Sequence, residues 1–129
     1  MNISTKTMTY SYWSPRILGI IFILFLAVFA LDVFTPGKTV SYYVLALFMH
    51  LIPNIVLALV LSIAWRFEKI GGILFLLAAL VFTIYFQTFT SFTNFFIVSF
   101  PLLLIGILFM YHTYLLKGSK NNDRRNMHR

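Results

Sequence analysis

The chain has 129 residues, 60% of them hydrophobic and only 10% charged, with a mean hydropathy of +0.91. Soluble domains run at about 45–50% apolar and about 25% charged residues, so this composition excludes a soluble globular fold, and its large aliphatic and aromatic content excludes disorder over residues 16–117. The formal charge of +7 does not point to nucleic acid, because Lys117, Lys120, Arg124, Arg125 and Arg129 cluster in the last thirteen positions behind an apolar run, where basic residues set topology and attract anionic lipid.

Residues 1–15 read as a cytoplasmic segment, followed by a first span over 16–34, "RILGIIFILFLAVFALDVF". A helix needs about 20 apolar residues to cross a bilayer. "TPGK" at 35–38 ends this span, since Pro36 cannot continue it and Gly37 permits a left-handed turn. Val28-Phe29-Ala30 has some likeness to a signal-peptidase site, but the bulky Phe29 and the length of the apolar run favour an uncleaved helix.

The second span covers 41–65 and the third 70–86, joined by the charged hairpin "RFEKIGG". Arg66, Glu68 and Lys69 in that hairpin read as topology signals with a surface ion pair. The uncharged, Phe-rich "QTFTSFTN" at 87–94 suits an interfacial loop before the fourth span, 95–116. Residues 117–129 form a basic cytoplasmic tail. The predicted fold is all-α: a polytopic four-transmembrane-helix bundle.

Orientation follows from Lys and Arg. Lys6, Arg16, Arg66, Lys69 and the five tail residues share one side, whereas the opposite loops hold only Lys38. The positive-inside rule then places both termini in the cytoplasm. Tyr10, Tyr12, Trp13 and Trp65 form an inner aromatic belt, and Tyr42, Tyr43 and Tyr85 an outer one.

"FMHLIPN" at 48–54 puts His50, Pro53 and Asn54 within the second span. At 100° per residue, Tyr43, His50, Pro53, Asn54, Leu57, Leu61 and Trp65 share a face that should look inward, opposite Leu45, Phe48, Ile52, Ile55, Leu59 and Ile63. His50 and Asn54 are one turn apart and can meet, with the carbonyl freed by Pro53 nearby. An intramembrane ionisable residue is a site by default. The bland alternative is a neutral imidazole satisfied locally, and it is the one favoured. Asp32 is the one acidic residue in a span, roughly 9 Å shallower than His50 at about 1.5 Å per residue. A headgroup-level pair with Lys38 accounts for it at little cost. His50, Asn54 and Asp32 are therefore the candidate intramembrane polar site.

Small and hydroxylic residues mark the expected helix-packing faces: Gly72, Ala79 and Thr83 on the third span, Ser99, Gly106 and Thr113 on the fourth. His112 lies off that second face, toward the cytoplasmic boundary, and receives no role. A faint echo between "GIIFILFLAVFA" and "GILFLLAALVFT" is no more than composition produces.

No cysteine is present, and no phosphate loop, Ser/His/Asp set or carboxylate pair occurs. No catalytic residue, cofactor or metal site is predicted. "FALDVF", "HLIP" and "AWRFEKIGGILF", set within "SPRILGIIFILFLAVFALDVF" and "HLIPNIVLALVLSIAWRFEKIGGILF", resemble a family of small four-span bacterial integral membrane proteins of unknown function, over most of residues 14–115. The resemblance implies a bacterial cell membrane and brings no activity or ligand with it. The expected function is non-catalytic, through assembly with itself or with a membrane partner. The alternative is an oligomeric small-solute or proton-coupled transporter or channel with a path near His50 and Asp32.

Overall fold

In the computed structural model, which describes residues 4–127, α1 runs over Thr5–Phe29 and tightens into a 3-10 turn over Ala30–Val33. It begins well before residue 16, because the polar "TKTMTYSYW" stretch contains no helix breaker and Pro15 lies within the helix. Gly37 follows with φ of 89°, a left-handed value that glycine adopts without a Cβ clash. The turn is closed by the Tyr43 hydroxyl, which donates to the Thr35 carbonyl at 2.5 Å.

α2 spans Val40–Arg66 and α3 spans Glu68–Tyr85, with Phe67 alone between them. So short a connection forces the two helices together at once. Gly71 meets Ala64 there, and a Cβ on Gly71 would sit 2.3 Å from the Ala64 Cα.

α4 extends over Phe92–Met127. It opens with one α-helical turn, widens into a π-helical stretch over Phe95–Ser99, and continues as an α-helix from Phe100. Pro101 explains the widening: it has no N–H for the Ile97 carbonyl, and its ring crowds that carbonyl in a regular α-helix. Helical structure persists through the basic tail to Met127, beyond residue 116, since no proline interrupts it.

The helices form a ring in chain order, with α1 beside α2, α2 beside α3, α3 beside α4, and α4 closing back on α1. Both described ends and the α2–α3 turn lie at one end, called here the termini end. Among the described residues there is no strand. The core is built from Phe22, Leu57, Leu61, Phe75, Ala79, Leu102, Ile105 and Phe109. Phe75 and Phe109 stack with centroids 5.9 Å apart, tying α3 to α4. Gly72 and Gly106 let those helices approach, since a Cβ on either would lie 3.1–3.2 Å from the other's carbonyl oxygen.

All four helices are long and apolar enough to cross a membrane. Their outer faces expose Leu24, Val28, Leu45, Phe48, Leu59, Leu80 and Ile84. Soluble monomers rarely expose apolar patches of that extent.

Candidate functional site

Three polar features interrupt the apolar bundle. The first lies at the termini end. Tyr12 and Arg16 are one helical turn apart on α1, Glu68 opens α3, and His112 stands on the inward stripe of α4. Arg16 Nη2 donates to Glu68 Oε1 at 2.6 Å, and His112 Nδ1 donates to Glu68 Oε2 at 2.6 Å. Arg16 Nη1 also donates to the Tyr12 carbonyl. The guanidinium lies 3.6 Å from the Tyr12 ring centroid and 5.5 Å from that of Phe109, close enough for cation–π attraction. Arg16 is 2% exposed and His112 4%. One carboxylate thus joins three helices.

This cluster corrects two expectations. Glu68 pairs with Arg16 and His112, not with Arg66 or Lys69 of its own hairpin. His112 faces inward because the buried stripe of α4 runs Leu102, Ile105, Phe109, His112 and Leu115, each three or four residues from the last. The seven-residue spacing of Ser99, Gly106 and Thr113 traces only one edge of that stripe. A signal was available in the topology itself: it places Arg16, Glu68 and His112 at the same end, and Glu68 is the only glutamate. Beside the cluster is an open groove of about 850 Å³ bordered by Trp13, Trp65, Lys69 and His112.

The second feature joins α3, the loop after it and α4. Thr83 donates to Ser99 Oγ at 2.8 Å, and Thr88 lies 2.7 Å from the same oxygen. Ser99 and Thr88 are 0% and 1% exposed. Of the predicted packing residues, the structure therefore brings together Thr83 with Ser99 and Gly72 with Gly106, while Ala79 lies in the core. Ser99→Ala is expected to cost about 1–3 kcal/mol by stranding the buried Thr88 hydroxyl. Thermal unfolding in detergent would measure this; a change under a few tenths would mean Thr88 finds another partner.

The third feature is a cavity of about 610 Å³ on the side of the bundle, which has His50 and Asn54 in its wall. The two do not bond to each other. His50 Nδ1 donates one turn back to the Ala46 carbonyl at 2.8 Å, and its ring lies toward the exterior. Asn54 is rotated further inward, 7% exposed, and its Oδ1 has no partner. The inward face of α2 is accordingly Asn54, Leu57, Leu61 and Ala64, with Trp65 outside. Asp32 does not join them: it is exposed on the 3-10 turn and outside the cavity wall. Lys38 turns to the Tyr42 ring, with Nζ 5.4 Å from the centroid, and forms no salt bridge with Asp32.

Among the described residues, no group of three or more His, Cys, Asp or Glu side chains could hold a metal ion. A family described as a domain of unknown function (DUF7670) matches residues 4–124, nearly the whole chain. The chain belongs to the DUF7670 family. No curated protein and no solved structure matches it. In this DUF7670 chain the matched region takes in the charged cluster, the hydroxyl knot and the cavity alike.

Proposed function

We propose that this DUF7670 protein is a multi-pass integral membrane protein with both termini in the cytoplasm, acting without catalysis through assembly with itself or with another membrane protein. The observation behind the assembly reading is a ladder of phenylalanines on the outside of α4. Phe92 and Phe96 have ring centroids 4.7 Å apart, and Phe96 and Phe100 5.1 Å. All three are exposed, Phe92 to 81%. The ladder stands on the π-helical stretch, a distortion that often marks functional surfaces.

Paired interior charges support a non-catalytic role. Glu68 is bonded through both oxygens to Arg16 and His112, which ties three helices together and fits a structural role. Positive residues at the termini end and exposed aromatics at both ends support the orientation. The transporter reading has no comparable support: Asp32 and His50 lie apart, and Leu57, Phe75, Leu102 and Phe109 fill the centre with at most 1% exposure.

Because the chain has no cysteine, single-cysteine variants test both parts. An impermeant maleimide applied to whole cells is expected to label Lys38→Cys and not Gly118→Cys; the reverse pattern overturns the orientation. In membranes, Phe92→Cys and Phe96→Cys are expected to cross-link into a product of discrete mass, far more than Leu59→Cys on α2. Equal cross-linking at all three positions would remove the ladder as an interface.

A further inference from the structure

The side cavity is walled by all four helices: Phe25 and Phe29 from α1, His50 and Asn54 from α2, Phe82 and Tyr85 from α3, with Ile97 and Val98 closing it from α4. Its volume of about 610 Å³ lies within the roughly 300–1,000 Å³ of small-molecule pockets. The enclosure suits a molecule better than a partner helix, which needs an open face.

Besides the Tyr85 hydroxyl, two polar groups stand in this largely apolar wall, and both have unspent hydrogen-bonding capacity. His50 uses Nδ1–H on the Ala46 carbonyl, so the neutral ring keeps Nε2 as an acceptor. Asn54 is 93% enclosed (7% exposed), with an Oδ1 that meets no donor. Leaving a buried amide unpaired is unfavourable, and a leucine would fill the same space without that cost. The amide presents a donor at one end and an acceptor at the other, and rotation exchanges them. Both residues line the cavity one helical turn apart, so a single hydroxyl that donates to His50 Nε2 can accept from the Asn54 amide N–H. The aromatic rings of Phe25, Phe29, Phe82 and Tyr85 favour a flat ring beside that hydroxyl.

We propose that the cavity binds an apolar ring-bearing alcohol or phenol drawn from the bilayer, its hydroxyl held between His50 Nε2 and the Asn54 amide. The site rests on the reading that the bundle crosses a membrane, because the cavity opens on the face that hydrocarbon would cover. A membrane quinol and a simple alkylphenol share the required chemistry.

The test uses the full chain in phosphatidylcholine nanodiscs and a diazirine-bearing alkylphenol as photoprobe, with labelled peptides mapped by mass spectrometry. Maleimide labelling of Lys38→Cys with protection of Leu59→Cys in matched discs establishes insertion separately, so a failure of the membrane reading is distinguishable from a failure of the site. Saturable labelling of the Met49–Val56 and Ile97–Val98 regions is expected, competed by 4-heptylphenol and not by heptylbenzene. Competition by reduced decylubiquinol as well would assign the site to quinols; competition by the alkylphenol alone would assign it to monophenols and alcohols. His50→Phe and Asn54→Leu should each raise the half-saturating concentration about tenfold, the usual scale of one lost hydrogen bond. His50→Gln, which keeps an acceptor, should retain most of the binding. Both α2 variants should remain folded, because His50 lies at the exterior and Asn54→Leu removes an unpaired group. Non-saturable labelling in inserted protein, equal competition by heptylbenzene, or labelling unchanged in both His50→Phe and Asn54→Leu would overturn the proposal.

Discussion

Glu68→Gln is expected to destabilise the bundle by about 3–5 kcal/mol, the cost of stranding a buried charge when its partner is removed. Arg16 is 2% exposed and its Nε already has no partner. Its remaining contacts would be the Tyr12 carbonyl and the faces of Tyr12 and Phe109. Neither supplies the negative charge. His112 loses its carboxylate acceptor in the same step. The effect should be far from additive: Arg16→Met combined with Glu68→Leu removes both charges and should recover most of the loss, as apolar replacement of a buried pair often does. His112→Phe alone, which breaks one hydrogen bond to a charged group, should cost about 1.5–3 kcal/mol. Chemical unfolding of the parent and the three variants in one detergent measures these differences. A Glu68→Gln protein as stable as the parent would mean that water, not Glu68, solvates Arg16.

Gly71→Ala should be nearly as damaging, though it adds one methyl group. The new Cβ would lie 2.1 Å from the Ala64 Cβ and 2.3 Å from its Cα. The second of these is backbone, so no side-chain rotation relieves the clash. Phe67 is the whole connection between α2 and α3, which leaves no slack for the helices to separate locally. Overpacking typically costs about 1–3 kcal/mol, and a backbone collision at a one-residue turn belongs at or above the top of that range. Gly118→Ala is the matched control. A Cβ there meets nothing within 4 Å, and the exchange should stabilise the exposed helix by up to about 1 kcal/mol. Unfolding midpoints of both variants measured side by side would decide it; a neutral Gly71→Ala would mean that α2 and α3 part more readily than their geometry implies.

Gly71 shows where sequence reading runs out. In "RFEKIGG" it is one of two adjacent glycines, of which only Gly72 falls on the expected packing face. Only the tertiary structure reveals that its missing side chain makes room for Ala64. Gly72, Thr83, Ser99 and Gly106 were legible as contact residues because small and hydroxylic side chains are otherwise poor choices in an apolar helix. The structure supplies their partners, pairing glycine with glycine and threonine with serine.

The sequence by itself determined four apolar helices, the turns dividing them and the small residues on α3 and α4, because hydropathy and turn chemistry are local properties of the chain. Only the tertiary structure decided what the polar side chains do. Arg16, read as a topology marker, is enclosed against Glu68. His112, read as peripheral, is the third member of that cluster, while Asp32, proposed as a site residue, is exposed and outside the cavity wall. His50 and Asn54, one turn apart as their spacing requires, line one cavity without bonding to each other, because the imidazole turns back to Ala46 and the amide is buried. A side chain's partner depends on rotation about each helix axis and on which helices become neighbours. Those are collective outcomes of packing, and no window of residues contains them.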